Sequence, residues 1–272
     1  LGYRDRFPLH PGSGGKMRLG QHIAISVLSV AVFFALWQLA ATRQWVDPLL
    51  LPSLTDIGIT AQELLADGYR QVPLWQHVAV SLARALSAFA VAIALGIPLG
   101  LLMGLSPGLS AVLNPFVQFL RPLPKIALIP LAVVWLGIGE ASKFFLIFIA
   151  TFLSVVVGAS AAVERIGRAR IRVAQTLGAS KGQIFLRVVL PDALPDLFTT
   201  VRLSIGIGWT SLIAAEMVAA SSGLGWMVIN ASSYLRTDIV MLGILLLGGT
   251  GYLLDLLLLG LQRLFVPWAG KE

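Results

Sequence analysis

The stretch VAQTLGASKGQIFLRVVLPDALP, residues 173–195, lies between apolar segments that are long enough to cross a membrane. Its residues predict a hairpin of two short helices. Gly178 can take the left-handed conformation that ends the first helix, and Ser180 can cap the second. Pro191 and Pro195 are expected to end the hairpin and lead into the next span. The stretch carries charges and an apolar stripe but no recognisable catalytic residue, so its role depends on the protein around it.

The composition is that of a membrane protein. Of the 272 residues, 57% are hydrophobic and 12% are charged, where a soluble domain carries about 25% charged residues. We therefore expect an all-α polytopic membrane protein. The absence of cysteine excludes disulfides and thiolate sites, and His10, His22 and His77 have no metal-ligand spacing, so no metal site is expected. The net charge of +7 mainly reports orientation in the membrane, and a nucleic-acid partner is not expected.

Apolar segments near the length of about 20 residues that a membrane-spanning helix needs occur six times. We predict spans over 23–41, 82–104, 111–136, 144–163, 197–219 and 239–261. The third is interrupted by RPLPK at 121–125, so it could instead be two re-entrant pieces. A short amphipathic helix is expected between the first two spans, over 53–68.

Positive charge sets the orientation of these spans. Basic residues precede the first span, follow the sixth and cluster in the loop after the fourth, whereas the opposite loops are mostly acidic. Both termini and the 164–196 loop are therefore predicted to be cytoplasmic. Residues 1–20 are interpreted as a disordered or tag-like tail, 21–268 as one transmembrane domain, and 269–272 as a C-terminal tail.

The second hairpin helix has an apolar face at helical spacing, formed by Ile184, Phe185, Val188 and Val189. This face needs something to cover it. One interpretation is packing against the chain's own spans or the headgroup layer. The other is docking into a groove of a soluble partner.

The hairpin resembles the EAA loop of bacterial ABC importer permeases, in which Glu-Ala-Ala, three residues, Gly and nine residues precede Ile-x-Leu-Pro. Ala174, Gly178 and Val188 occupy family positions, as does the Leu-Pro pair at 190–191. Arg172 replaces the usual Glu, and the residue after it replaces the first Ala.

The resemblance extends over most of the chain. WQHVAVSLARALSAFAVAIALGIPLGLLMGLSP (75–107), LRPLPKIALIPLAVVWLGIGEASK (120–143) and GWTSLIAAEMVAASSGLGWMV (208–228) are similar to the taurine, aliphatic sulfonate and nitrate branch. The ending LQRLFVPW (261–268) is most similar to taurine permeases. The resemblance implies a type I importer permease fold in a bacterial inner membrane, and import of a small anion, above all taurine or another sulfonate, by alternating access.

The resemblance also implies partners. The chain has no GxxxxGK[ST] phosphate loop, so no cofactor is expected in it, and ATP and Mg are expected on a dimer of ATP-binding subunits. It is thus not expected to be an enzyme. A second copy of the permease, a periplasmic solute-binding protein and membrane lipid complete the partners. The residues implied in coupling to the ATP-binding subunit are Ala174, Leu177, Gly178, Ala179, Ser180, Ile184, Phe185 and Val188.

Charges at membrane depth are costly and mark candidate functional residues. Arg84 could snorkel to the interface or form an interhelical ion pair with Glu216, and Arg202 could likewise snorkel or pair with a carboxylate. Pro122 and Pro124 break a helix beside Arg121 and Lys125, which suits either a pathway for small anions or a kink needed only for packing. Two further pathway candidates, with helix packing as the alternative, are Trp209 and Thr210.

Three other functions stay open at this level. A nitrate, cyanate or bicarbonate importer is the nearest. A secondary transporter driven by an ion gradient usually has internal repeats with matched broken helices, and this sequence has one proline break. An intramembrane enzyme would need a nucleophile with a base, or a metal site, within the spans.

Overall fold

The computed structural model describes residues 19–166 and 168–268, and they form eleven α-helices. Expected segments 1–20 and 269–272 lie wholly or mostly outside these residues, and the single domain over 21–268 stays a prediction. The helices are α1 (Leu19–Thr42), α2 (Leu54–Ala66), α3 (Leu74–Leu105), α4 (Pro107–Leu120), α5 (Ile129–Leu136), α6 (Glu140–Glu164), α7 (Arg168–Thr176), α8 (Lys181–Ile184), α9 (Leu190–Ala219), α10 (Leu224–Ser233) and α11 (Thr237–Phe265).

Within the described residues, five helical segments are long and apolar enough to cross a membrane, or six if α4 and α5 count as one broken span. The all-α prediction is confirmed, with an isolated bridge between Tyr69 and Val72 beside the helices. The second span is longer than expected, because α3 starts at Leu74 rather than near residue 82.

The described chain divides into two compact units, one ending at Thr55 and the other beginning at Asp56. In the first unit, α1 is followed by a loop that folds back on its end. The Trp37 indole donates to the Pro52 carbonyl at 3.0 Å, and the Gln38 carboxamide accepts from the Leu54 amide at 2.8 Å. These bonds hold the loop against the end of α1.

In the second unit, α6 is the central helix, because α3 and α9 both pack along it. Small residues allow this approach. Gly96, Gly100 and Gly104 follow one another every four residues on α3 and face α6, where a Cβ at Gly100 would stand 2.5 Å from the Val156 carbonyl oxygen. Gly158 on α6 similarly faces α9. Small residues at fixed helical spacing are a common way for membrane helices to pack closely.

The proline break lies where the sequence predicts it. After α4 ends at Leu120, a short 3₁₀ turn over Lys125–Leu128 leads into α5, and the two pieces meet at 93°. The Lys125 ammonium donates to the carbonyls of Arg121 at 2.6 Å and Leu123 at 2.9 Å. These carbonyls have lost helical partners at the break, so the lysine satisfies acceptors that would be costly at membrane depth.

The hairpin prediction is wrong at its end. Pro191 lies in the first turn of α9 and Pro195 lies inside it, so α8 and α9 form one continuous helical segment over Lys181–Val218. A π turn over Phe185–Val189 joins them. A proline cannot donate to the carbonyl four residues earlier, and its ring crowds that carbonyl in an α-helix. The wider π turn lies just before Pro191, so the helix continues through the proline without needing the missing bond.

Candidate functional site

A cavity of about 490 Å³ lies between the proline break, α6 and α9. Arg121 and Lys125 line it at the break, and Ser154 and Gly158 line it on α6. On α9 the lining residues recur at helical spacing, so one face of this helix forms a wall; they are Asp196, Thr199, Thr200, Leu203, Ser204 and Ile207. The structure therefore brings the two predicted cations to one cavity, whose volume would suit a small solute.

The charges of this cavity are mostly positive. Arg165, the C-cap of α6, joins Arg121 and Lys125 in its lining, and Asp196 is the carboxylate among the residues that line it. Arg165 Nη1 lies 3.3 Å from Asp196 Oδ2, and both side chains are partly exposed. Three cations against one carboxylate produce a net positive lining, which favours anions.

The other two pathway candidates lie elsewhere. Trp209 is buried between α9 and α11, donates to the Leu247 carbonyl at 3.2 Å and lines a separate cavity of about 250 Å³. Thr210 is exposed on α9, three residues after Ile207 and on the same side of the helix, and its hydroxyl bonds the Ile207 carbonyl at 2.7 Å. Thr210 therefore extends the cavity-lining face, whereas Trp209 holds α11 against α9.

Arg202 is paired rather than snorkelling. Its guanidinium makes two parallel bonds to Asp255 on α11, at 2.9 and 2.8 Å. This fork-to-fork geometry is the strongest form of an Arg–carboxylate contact. The pair borders the same small cavity as Trp209 and links α9 to α11.

At the C-terminal end of α9, a buried ion cluster joins three helices, α3, α6 and α9. Arg84 Nη1 lies 2.8 Å from Glu216 Oε1, and Glu216 is fully buried. The other face of the Arg84 guanidinium binds Glu140 in two bonds of 2.6 and 2.7 Å, and Lys143 also reaches Glu140 at 2.8 Å. Glu140 is 64% exposed, so the cluster runs from the interior to the surface.

This cluster also holds the loop before α10. The Gly225 amide donates to Glu216 at 2.9 Å, and the Gly223 amide donates to His77 Nδ1 at 3.1 Å. Gly223 has a φ of +121°, and a Cβ there would collide with the Glu216 carboxylate. The segment 221–223 thus leads into the short packed helix α10.

A second ion pair lies on the same side as α10. The Arg236 guanidinium bonds the Asp238 carboxylate at 3.0 and 2.7 Å, and Thr60 on α2 donates to the same carboxylate at 2.7 Å. Hydrogen bonding to Asp238 raises the pKa of Arg236 above its ordinary value. This pair ties α2 to the start of α11.

The hairpin has the local structure that its sequence predicts. Gly178 has a φ of +78° after α7 ends at Thr176. The Gln183 amide donates to the Ser180 hydroxyl, and the Ser180 amide donates to the Gln183 side chain, which completes a capping box.

The apolar residues of the hairpin divide into a buried set and an exposed set. Ile184 is 8% exposed and packs with Leu101, Val163 and other residues of α3, α6 and α9, and Phe185 is packed partly against the same cluster. Ala174 and Ala179 also contact this cluster, and Val188 is half-buried. Leu177 is 81% exposed at the hairpin tip. Of the two interpretations of this helical face, the structure therefore favours packing mainly into the chain's own core. The exposed large apolar side chains of the hairpin are Leu177 at the tip, Val173 and Leu186.

Two sets of residues were missed by sequence reasoning. Ser81 and His77 on α3 belong to the buried cluster, and Asp196 and Arg165 belong to the cavity. A signal for Asp196 was present, because Asp196, Thr200 and Ile207 share a helical face. This spacing could be recognised only if the helix was known to start before Pro195.

Comparison with known proteins now identifies the family. Residues 96–271 match the family model described as binding-protein-dependent transport system inner membrane component. The taurine transport system permease protein TauC of Escherichia coli K12 is 42% identical over 257 residues, which cover 93% of this chain and 92% of TauC. The chain belongs to this permease family.

Two other relatives are permeases named for other substrates. The putative aliphatic sulfonates transport permease protein SsuC of Escherichia coli K12 is 38% identical, covering 86% of this chain and 88% of SsuC. The bicarbonate transport system permease protein CmpB of Synechococcus elongatus is 35% identical, covering 70% of this chain and 68% of CmpB.

A solved structure of the inward-facing MetNI methionine ABC transporter shares the fold of this permease. The TM-score is 0.54 at 22% identity, over 68% of this chain and 95% of that one. The type I ABC importer permease fold is thereby confirmed. The chain is a multi-pass inner-membrane permease subunit of an ABC importer and not itself an enzyme.

Proposed function

We propose that this permease carries taurine or another small sulfonate across a bacterial inner membrane, in an importer driven by ATP. Similarity to TauC and SsuC supports the substrate class. The observation that carries the proposal is the cavity beside the proline break, with its three cationic side chains, Arg121, Lys125 and Arg165. A sulfonate is a permanent anion at neutral pH, and a positive, partly enclosed space attracts it.

In this proposal the cavity is part of the translocation pathway. α9 forms its wall and is continuous with the second hairpin helix, which starts at Lys181. A movement of the hairpin would thus be transmitted along a single helix to the residues around Leu203. This continuity supports alternating access by rigid movement of α9 rather than by bending at a hinge before the span.

The proposed partners supply what this chain lacks. Two ATP-binding subunits, with ATP and Mg, dock at the hairpin tips of two permease copies, and Leu177 is the most exposed apolar side chain of the tip. It is followed in the chain by Gly178, Ala179 and Ser180. A solute-binding protein delivers substrate at the opposite face, which carries Glu140 and Asp238. The termini and the hairpin are then cytoplasmic, as the distribution of basic residues indicates.

A second candidate is import of an inorganic anion. The similarity to the bicarbonate permease CmpB supports it, and the same cationic cavity would attract bicarbonate, nitrate or cyanate. The two proposals differ in the ligand and not in the mechanism.

Stimulated ATPase activity distinguishes these candidates. The permease is purified with its ATP-binding subunit in lipid nanodiscs, and binding proteins loaded with taurine, an alkanesulfonate, nitrate or bicarbonate are added in turn. Stimulation by the taurine-loaded or alkanesulfonate-loaded protein, and not by the same protein without ligand, is expected. Stimulation only with bicarbonate or nitrate would replace the sulfonate proposal by the second candidate. Uptake that follows an ion gradient without ATP would contradict both.

A further inference from the structure

The cavity contains a carboxylate that a pathway for simple anions does not need. Asp196 lines it together with Arg121, Lys125 and Arg165. A carboxylate in the lining repels an anion and weakens the attraction of the cations around it. Its position on the cavity-lining face of α9 therefore calls for a positive partner.

Arg165 satisfies Asp196 only loosely. Their single contact is 3.3 Å long, and their side chains are 73% and 40% exposed. Exposed ion pairs of this kind are weak, because water solvates both charges. By comparison, Arg202 and Asp255 make two bonds below 3.0 Å. Asp196 is thus able to accept a second cation from inside the cavity.

The cations at the other wall are held differently. Lys125 is fixed at the break by its bonds to three backbone carbonyls, those of Leu120, Arg121 and Leu123, while the Arg121 side chain lines the cavity and is exposed. Arg121 and Lys125 thus place two positive charges at the α4–α5 break, while Asp196 lies on α9 beside the third cation, Arg165. Because the break and α9 are separate elements, the first two cations and the carboxylate line different parts of one space.

We infer that the cavity recognises a zwitterion, with the sulfonate at Arg121 and Lys125 and a substrate ammonium at Asp196. The inference rests on the proposed function and narrows its substrate class to amino sulfonates. Asp196 is then a specificity-determining residue, because it favours an amino sulfonate over an alkanesulfonate or bicarbonate. Each charged group of the ligand would meet an opposite charge.

Two ligands that differ in one group test this inference. Taurine and 2-hydroxyethanesulfonate share the sulfonate and the two-carbon chain, but the second has a hydroxyl in place of the ammonium. Binding of each is measured by ligand-observed NMR titration to the complete transporter in nanodiscs, without nucleotide. Asp196→Asn is expected to weaken taurine binding about tenfold, since a charge-assisted hydrogen bond is lost. The same change should leave 2-hydroxyethanesulfonate binding unchanged or stronger, since a repelling charge is removed.

Asp192→Asn is the matched control. Asp192 lies one helical turn before Asp196 on α9 and pairs with Arg170 at 2.7 Å, but it is not among the residues that line the cavity. Its replacement removes the same charge from the same helix, and the affinity for both ligands should stay the same.

The outcomes separate the inference from the proposed function. If Asp196→Asn changes the affinity for both ligands equally, or for neither, Asp196 does not bind an ammonium. If Arg165→Gln reproduces the loss of taurine affinity, the ion pair rather than the carboxylate matters, and the inference is again wrong. If Arg121→Gln and Lys125→Gln leave the binding of both ligands intact, the cavity is not the sulfonate site, and the proposed function loses its structural support.

Discussion

Replacing Glu216 by Gln tests whether the buried ion cluster stabilises the permease. The carboxylate is fully buried and accepts bonds from Ser81 at 2.8 and 2.9 Å, Arg84 at 2.8 Å and the Gly225 amide at 2.9 Å. Gln removes the negative charge and turns one acceptor into a donor that faces another donor. Breaking a buried ion pair costs about 3–5 kcal/mol, and Gln keeps one acceptor, so we expect a loss of about 3 kcal/mol.

Glu140→Gln is the matched control for this change. Glu140 binds the same Arg84 guanidinium at 2.6 and 2.7 Å, but its side chain is 64% exposed. Water screens exposed pairs, so the expected loss is about 0–1 kcal/mol. The free energy of unfolding is measured for both variants by denaturant titration in mixed micelles, followed by tryptophan fluorescence. Equal losses in the two variants, or a loss below 1 kcal/mol for Glu216→Gln, would refute the reasoning.

Three further predictions concern coupling, transport and packing. Leu177→Asp is expected to abolish ATPase stimulation while the permease still folds, whereas Ile184→Asp should lower the yield of folded protein, because Ile184 is buried. Stimulated ATPase assays and size-exclusion profiles check both variants. The reverse pattern would contradict the docking surface at the hairpin tip. Lys125→Met is expected to lower sulfonate uptake into proteoliposomes more than basal ATPase activity, and equal losses would assign Lys125 to the break alone. Gly100→Ala should destabilise the fold by about 1–3 kcal/mol through overpacking of α3 on α6, while Gly206→Ala, where a Cβ meets nothing within 4 Å, should cost less; unfolding titrations of both variants check this.

Sequence reasoning found the features that are local. The break at Pro122 and Pro124, the left-handed Gly178 and the capping Ser180 each depend on a few neighbouring residues. The pairing of Arg84 with Glu216 was also accessible, although 132 residues separate them in the chain. Opposite charges at a similar membrane depth have few alternative partners, so the pair was one of the two interpretations of Arg84, beside snorkelling to the interface.

The missed features depend on how helices pack. The hairpin was expected to end at Pro191 and Pro195, because a proline in a helix usually removes a hydrogen bond. The π turn before Pro191 has no simple sequence signature. For Ile184 the amphipathic spacing left both the chain's own spans and a partner open, because such spacing shows that a face is covered but not by what. Asp196 became part of the cavity only once α9 was known to extend back through Pro195.

The central claim, that anions pass through the cation-lined cavity, is tested most directly by cysteine labelling. The sequence contains no cysteine, so a single Leu203→Cys gives one reactive thiol at a cavity-lining position. Its modification rate is measured with a sulfonatoethyl and a trimethylammonioethyl thiosulfonate reagent, with Leu186→Cys as an exposed control that does not line the cavity. At Leu203→Cys we expect the ratio of the sulfonate to the ammonium modification rate to be about tenfold higher than at Leu186→Cys. This difference should disappear when Arg121 and Lys125 are both replaced by Gln. Equal reagent preference at the two positions, or a preference that persists without the two cations, would contradict the account.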